Sequence, residues 1–365
     1  MMTRLDIGHQ RLHNQHIAGT PLETPAAVVR RLGAVQAQDY AAAKWAVALR
    51  TRGVTDAALD QALADGAILR THVMRPTWHF VAPGDIHWLL ALTAPRVKAA
   101  IAYYDRRLGL DDHMVGRSNA ALAGALAGGR QLTRPELASV LARAGITADG
   151  AEGQRLGQLI MHAELDGMLC NGARRGKQFT YALLAERAPQ PRVLARDDAL
   201  AELAGRYFTS HGPATLKDFV WWSGLALPAA RRGLEFVKPR LTEAMIEGRT
   251  YWFSPAPAPV VDLSPTAYLL PNYDEYLVGY ADRSAVYDAR HTETLGARAE
   301  ILFHHTLVID GQIAGAWKRS REARAVAIEA TPFRVLNATE LHALTAAAER
   351  YGEFLGLRIH LRLAS

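Results

Sequence analysis

The strongest constraint on the fold is an order of elements that recurs along the chain. "TPAAVVRRLGAVQAQ" opens a helix at Thr24 with Pro25 at its first position, and "TDAALDQALADGAIL" opens another at Thr55 or Asp56 and stops at Gly66. "ILRTHVMRPTWHFVAP" then alternates around Arg75-Pro76, the pattern of a β-hairpin. The order returns in "QLTRPELASVLARAG", where Thr133 and Glu136 have the spacing of a capping box, and in the helix "AEGQRLGQLIMHAELDGML". The hairpin "LCNGARRGKQFTYALL" follows, its tip carrying Arg174, Arg175 and Lys177. A third pass reads as a helix in "DDALAELAGRYFTSHG", a second starting at Pro213, a third in "PAARRGLEFVKPRL" and a strand in "MIEGRTYWFS". The spacing is uneven, so a motif repeats rather than a sequence.

Helices closed by a hairpin follow the order of a winged helix. After "SPAPAPVVDLSP" the pattern becomes strand-rich, with a hairpin turn at Asp310-Gly311, a late helix in "ATELHALTAAAERYGEFLG" and a last strand in "LRIHLRLA". The expected fold is therefore α+β, with three tandem winged-helix motifs and a strand-rich C-terminal region. The expected units are 1–95, 96–190, 191–255 and 256–365. At the start of the first unit, "RLDIGHQRLHNQHI" reads as an amphipathic helix over residues 4–17.

A chain of 365 residues exceeds one compact core. No apolar run is long enough for a membrane span, and "MMTRLDIGHQ" lacks a signal core, so no membrane and a cytoplasmic setting are expected. The single cysteine, Cys170, excludes an internal disulfide and a cysteine-based zinc site. The net charge of +6 comes from arginine. Arginine excess suits phosphate binding, and a high-GC genome also produces it.

Walker, G-x-G-x-x-G, H-E-x-x-H and G-x-S-x-G signatures are all missing. His9, His13 and His16 fall at i, i+4 and i+7, either a metal site or the polar face of a terminal helix. His304 and His305 alternate across a strand and cannot face one ion. Arg174, Arg175 and Lys177 are either a solvated turn or phosphate contacts. Arg75 and His79 could enter a groove, or Arg75 could pair with Asp85. Of Trp221 and Trp222, one is expected in the core, and base stacking is the alternative. The remaining feature is "AVQAQDY", where Gln36 and Gln38 bracket Ala37 and precede Asp39.

"RRLGAVQAQDYAAAKWAVALR", "RTHVMRPTWHFVAP", "HGPATLKDFVWWSGL", "LLPNYDEYLVGYADR" and "DGQIAGAWKR", in that order, resemble the winged-helix DNA glycosylases of the AlkZ/YcaQ type. The resemblance implies three winged helices in a C-shaped channel and an enzyme that unhooks alkylated bases and interstrand crosslinks. The family's catalytic signature, Gln, an apolar residue, then Gln or Asp, falls on Gln36, Ala37 and Gln38, with Ala37 a small bridging residue. Asp39 and Asp274 are then candidate supports behind the two amides. The implied partner is damaged double-stranded DNA, bound by a monomer near the nucleoid, with no cofactor and no metal. The competing readings are a non-enzymatic winged-helix DNA-binding regulator and a relative turned to another ligand.

Two neutral amides suffice only for an undemanding reaction. An N7-alkylguanine is already cationic and leaves as a neutral base without an acid. Water then needs orientation more than deprotonation, and a glutamine carbonyl can orient it. Residues two apart face the same way only on extended backbone, so the pair is expected where a helix ends and the chain opens out. The bland alternative is a pair of polar residues tying a helix end to its neighbours. No lysine stands beside the pair, Lys44 being the nearest, which disfavours a lyase step through a Schiff base.

Overall fold

The computed structural model describes residues 3–147, 153–255, 266–291 and 300–364. The boundary expected near residue 255 runs into residues 256–265 and lies outside the described residues.

Helix α1 (Arg4–Asn14) begins in a capping box of Thr3 and Asp6. It stops earlier than expected, because Gln15 closes it and His16 turns into left-handed backbone with φ 57°. His16 is thereby removed from the face of His9 and His13. α2 (Pro25–Leu32) starts under the Thr24 side chain and ends at Gly33, whose φ of 84° suits a residue without a Cβ. β1 (Val35–Gln36) follows at once, then α3 (Tyr40–Ala48) and α4 (Asp56–Ala64), the last capped by Thr55. β2 (Leu69–Val73) and β3 (Arg75–Val81) form the hairpin, turning at Met74 with φ 66° rather than at Arg75-Pro76.

α5 (Ile86–Arg107) is a 22-residue helix that runs through Pro95. The division expected between residues 95 and 96 therefore falls inside a continuous helix. Proline removes one backbone donor there, and Leu89, Leu90, Leu92, Ala94 and Val97 on both sides are buried and hold the helix together. The second unit contains α6 (Asp112–Leu126), β4 (Leu132–Thr133), α7 (Arg134–Arg143), α8 (Gln154–Leu165), β5 (Leu169–Asn171), β6 (Thr180–Leu183) and the single turn α9 (Leu184–Arg187). The Thr133–Glu136 capping box forms as expected.

The third unit has α10 (Arg196–Ser210), α11 (Leu216–Ser223), α12 (Leu227–Val237), β7 (Thr242–Ile246) and β8 (Arg249–Phe253). α11 begins at Leu216 rather than Pro213, because Thr215 and Asp218 form a capping box and Ala214 is taken by a bridge to Trp252. The three sheets share one order. β1 and β4 each pair with the last strand of the following hairpin, and Ala214 does the same with β8.

The C-terminal region is a five-stranded sheet in the order β13-β12-β11-β10-β9, from β9 (Ala267–Leu270), β10 (His305–Ile309), β11 (Gln312–Arg321), β12 (Ala325–Pro332) and β13 (Arg358–Leu363). The short α13 (Glu275–Val278) follows β9, and α14 (Ala338–Leu355) makes the crossover that lets β13 run parallel to β12. Asp310 and Gly311 both have positive φ, as a tight two-residue hairpin requires. Ile7 and Leu12 of α1 lie in the core of this sheet. A Cβ on Gly8 would stand 2.5 Å from the Gly311 carbonyl oxygen, so glycine permits that close contact. α1 is therefore packed on the C-terminal sheet, in a core that Trp45, Ala48 and Leu49 of the first unit also enter.

Candidate active site

Gln36 ends β1, paired across to His79 on β3. β1 is an edge strand, and its outward N–H groups need partners. The Gln36 N–H finds one in Glu275 Oε1 at 2.9 Å. The next peptide is held as firmly. Ala37 N–H donates to the Trp78 carbonyl at 2.6 Å, and the Ala37 carbonyl accepts from Arg70 Nε at 3.1 Å. Asp39 then caps α3 by accepting the Ala42 N–H at 3.0 Å. The pair thus sits between a helix end and a helix start, with Gln36 ending β1 and Gln38 in the bend that follows.

The side chains differ in setting. Gln36 is 8% exposed, and its Oε1 accepts from Arg75 Nη2 at 3.0 Å. Gln38 is exposed, and its Oε1 accepts a long 3.4 Å bond from the Trp78 N–H. Arg75 also donates from Nη1 to the Trp222 carbonyl at 2.6 Å. It is turned inward, whereas a groove contact or a pair with Asp85 was expected. Asp85 is occupied by Arg206 at 2.5 Å. Burial lowers the Arg75 pKa, and the Glu275 charge acts against that shift.

His79, expected on a DNA surface, is 1% exposed and lies 3.4 Å from Arg75 Nη2. Burial, then the Arg75 charge, pushes its pKa to about 3, so it is neutral near pH 7 and offers phosphate no charge. Asp274 does not face the amides. It is buried in a bidentate pair with Arg50 at 2.8 and 2.9 Å and caps α13 by accepting the Tyr276 N–H.

The acid behind the site is its neighbour Glu275. Its Oε2 accepts from Trp222 Nε1 at 2.9 Å and contacts His211 Nε2 at 3.2 Å, while Oε1 takes the Gln36 N–H. Burial by itself raises this carboxyl. The hydrogen bond and charge of His211, the Gln36 N–H and the Arg75 charge outweigh burial and hold it below the usual carboxylate range. The first unit, the third unit and the C-terminal region all meet on this one side chain. Glu275, His211, Arg70 and Trp222 were not assigned to the site from sequence. The only local signal was the acidic pair in "NYDEY", and at a helix start adjacent side chains diverge by about 100°.

Arg174 lies over the Tyr40 ring at 5.0 Å, which brings the second unit's hairpin tip to the start of α3, two residues after Gln38. Arg175 pairs with Glu136 at 2.8 Å while remaining 56% exposed, and Lys177 is exposed. Trp222 is buried and Trp221 is half-exposed, donating from Nε1 to the Val278 carbonyl. Lys44 is buried between Asp56 at 2.8 Å and Asp60 at 3.0 Å. Burial, Arg319 and His304 hold His305 at a pKa of about 4, in a structural place beside Trp317. Among the described residues, no group of three or more His, Cys, Asp or Glu has the geometry to hold a metal ion. No helix among them is long and apolar enough to cross a membrane.

A match to the family described as DNA glycosylase AlkZ-like covers residues 29–354. A relative from Streptomyces sahachiroi, an interstrand DNA cross-link repair glycosylase, is 27% identical over 320 residues, 84% of this chain and 85% of that one. The solved structure of Streptomyces sahachiroi DNA glycosylase AlkZ aligns with a TM-score of 0.81 and 25% identity, covering 100% of each chain. These likenesses define the class as DNA glycosylase, an enzyme acting on N-glycosyl bonds in DNA. Within that class the chain belongs to the AlkZ-like family. The regulator reading finds no support in either relative.

Proposed function

We propose that the chain is a monofunctional glycosylase that releases cationic N7-alkyl purines from damaged double-stranded DNA and unhooks interstrand crosslinks carried on such bases. The observation that carries this reading is the Gln36–Gln38 segment. Its main chain is anchored by Glu275, Trp78 and Arg70, while its side chains supply amides and no titrating base. Such a site orients rather than deprotonates. The C1′–N9 bond breaks with its electron pair moving to N9, which neutralises the cationic purine. Water oriented by Gln38 adds to C1′, and its proton passes to solvent. Lys44 is committed to two carboxylates, which favours hydrolysis over a Schiff-base route.

The shared strand order supports reading the three helix–hairpin units as winged helices. In this reading they form a C, and the enzyme acts in the cytoplasm as a monomer lying along the duplex. Arg174, Arg175 and Lys177 would touch backbone phosphates. The direct test is release of free base from methylated duplex DNA. Recovery of 7-methylguanine supports the reading. Its absence across several alkylated substrates, with tight sequence-selective binding of undamaged DNA, defeats it.

A further inference from the structure

Arg75 holds the carbonyl end of the Gln36 amide. A guanidinium has donors only, so the atom facing Nη2 at 3.0 Å must be the oxygen, and the amide orientation is settled. That oxygen already accepts a charge-assisted bond within a residue only 8% exposed, which makes it a poor acceptor for water. The free end is the –NH2 group, which has no protein partner among the described residues. Gln38 is different. It is exposed, and the 3.4 Å bond from the Trp78 N–H leaves its carbonyl able to accept from water.

Arg75 is itself clamped, with Nη1 on the Trp222 carbonyl at 2.6 Å and Trp222 Nε1 on Glu275 at 2.9 Å. An uncompensated cation here would oppose the positive charge that develops on the sugar. The buried Glu275 carboxylate, in the same cluster, carries the opposite sign.

We infer that Arg75 is a positioning residue that turns Gln36 into a donor toward the DNA and leaves Gln38 as the acceptor for water, with Glu275 as the countercharge. This rests on the glycosylase reading above and assigns separate tasks to its two amides. The DNA atom that receives the Gln36 –NH2 is an acceptor on the leaving purine edge or on a flanking phosphate. A bond to the purine edge strengthens as the glycosidic bond breaks, whereas a bond to phosphate is present already in the bound ground state.

The test uses the full chain and single-turnover release of 7-methylguanine from methylated duplex, with duplex affinity and thermal midpoint measured for each variant. Gln36→Glu exchanges the donor for a second acceptor, and is expected to fall with Gln36→Ala, on the order of 10²-fold below wild type. Gln38→Glu keeps an acceptor and is expected to stay within about tenfold of wild type, with a new acid limb near the carboxylate value of about 4.3. Arg75→Lys replaces the rigid two-nitrogen fork with a single flexible ammonium, so it should slow release about tenfold or more through misplacement of Gln36. In a Gln36→Ala background the same change should cost nothing further, because its effect passes through Gln36. Slower release by Gln36→Ala at unchanged affinity assigns the purine edge, and affinity weakened by the same factor assigns phosphate. Gln36→Glu at least as active as Gln38→Glu, or an equal Arg75→Lys cost in both backgrounds, overturns the inference while leaving the glycosylase reading intact. A wild type that releases no base overturns both.

Discussion

Replacing Glu275 with glutamine keeps its size and removes its charge at the point where three parts of the chain meet. The carboxylate accepts the Gln36 N–H at one oxygen and Trp222 Nε1 and His211 Nε2 at the other. Glutamine has one acceptor oxygen, so one of these positions must receive an –NH2 group facing a donor. If the carbonyl stays with Trp222 and His211, the Gln36 N–H is orphaned, at about 1–3 kcal/mol, and the two remaining bonds lose about 1 kcal/mol each of charge assistance. The predicted cost is therefore about 3–5 kcal/mol, the range for breaking a buried charged interaction. It should appear as a thermal midpoint lowered by several degrees, with single-turnover base release slowed because β1 loses its outer anchor.

The pH dependence gives an independent check. Glu275 is held below the ordinary carboxylate value, so its stabilisation is fully present above the unfolded pKa of about 4.3 and is lost as pH falls through the lower folded value. The stability gap between wild type and Glu275→Gln should thus be widest near neutrality and close in acid. A midpoint within about 1 °C of wild type at pH 7, or a gap that widens in acid, refutes the reasoning.

Gln38→Ala should slow base release on the order of 10²-fold while leaving duplex affinity and thermal midpoint unchanged, since Gln38 is exposed and makes one long hydrogen bond. A parallel loss of affinity would reassign it to binding. Alanine at Arg174, Arg175 and Lys177 together should weaken DNA binding with little sequence dependence and flatten the salt slope by about one unit for each phosphate no longer neutralised. An unchanged slope removes the second hairpin from the interface. Asp274→Asn leaves Arg50 without a buried counterion and should cost about 3–5 kcal/mol by denaturation, with Asp274→Ala no milder. A loss below about 1 kcal/mol would show that water compensates the guanidinium.

Elements whose signals lie within a few residues are legible in the sequence itself. Thr24 with Pro25, Thr55 and the Thr133–Glu136 box mark helix starts because a cap is an interaction between near neighbours. Asp310-Gly311 marks its turn because left-handed backbone selects those residue types. The family resemblance singles out Gln36 and Gln38, and their two-residue spacing anticipates the opening of the chain between Gly33 and Asp39. The sequence alone therefore determined where α2, α4 and α7 begin, where this last hairpin turns and which two amides stand together. Only the tertiary structure decided that Glu275 rather than Asp274 lies behind them, that Arg75 faces inward and that α1 packs on the C-terminal sheet. The Gln36–Glu275 bond joins residues 239 positions apart, and Arg50–Asp274 joins residues 224 apart. Which of two adjacent acids faces β1 is set by the rotation of α13, and that rotation is fixed by a guanidinium arriving from just beyond the end of α3. No local pattern encodes it, because the energy that selects it exists only once the units have packed.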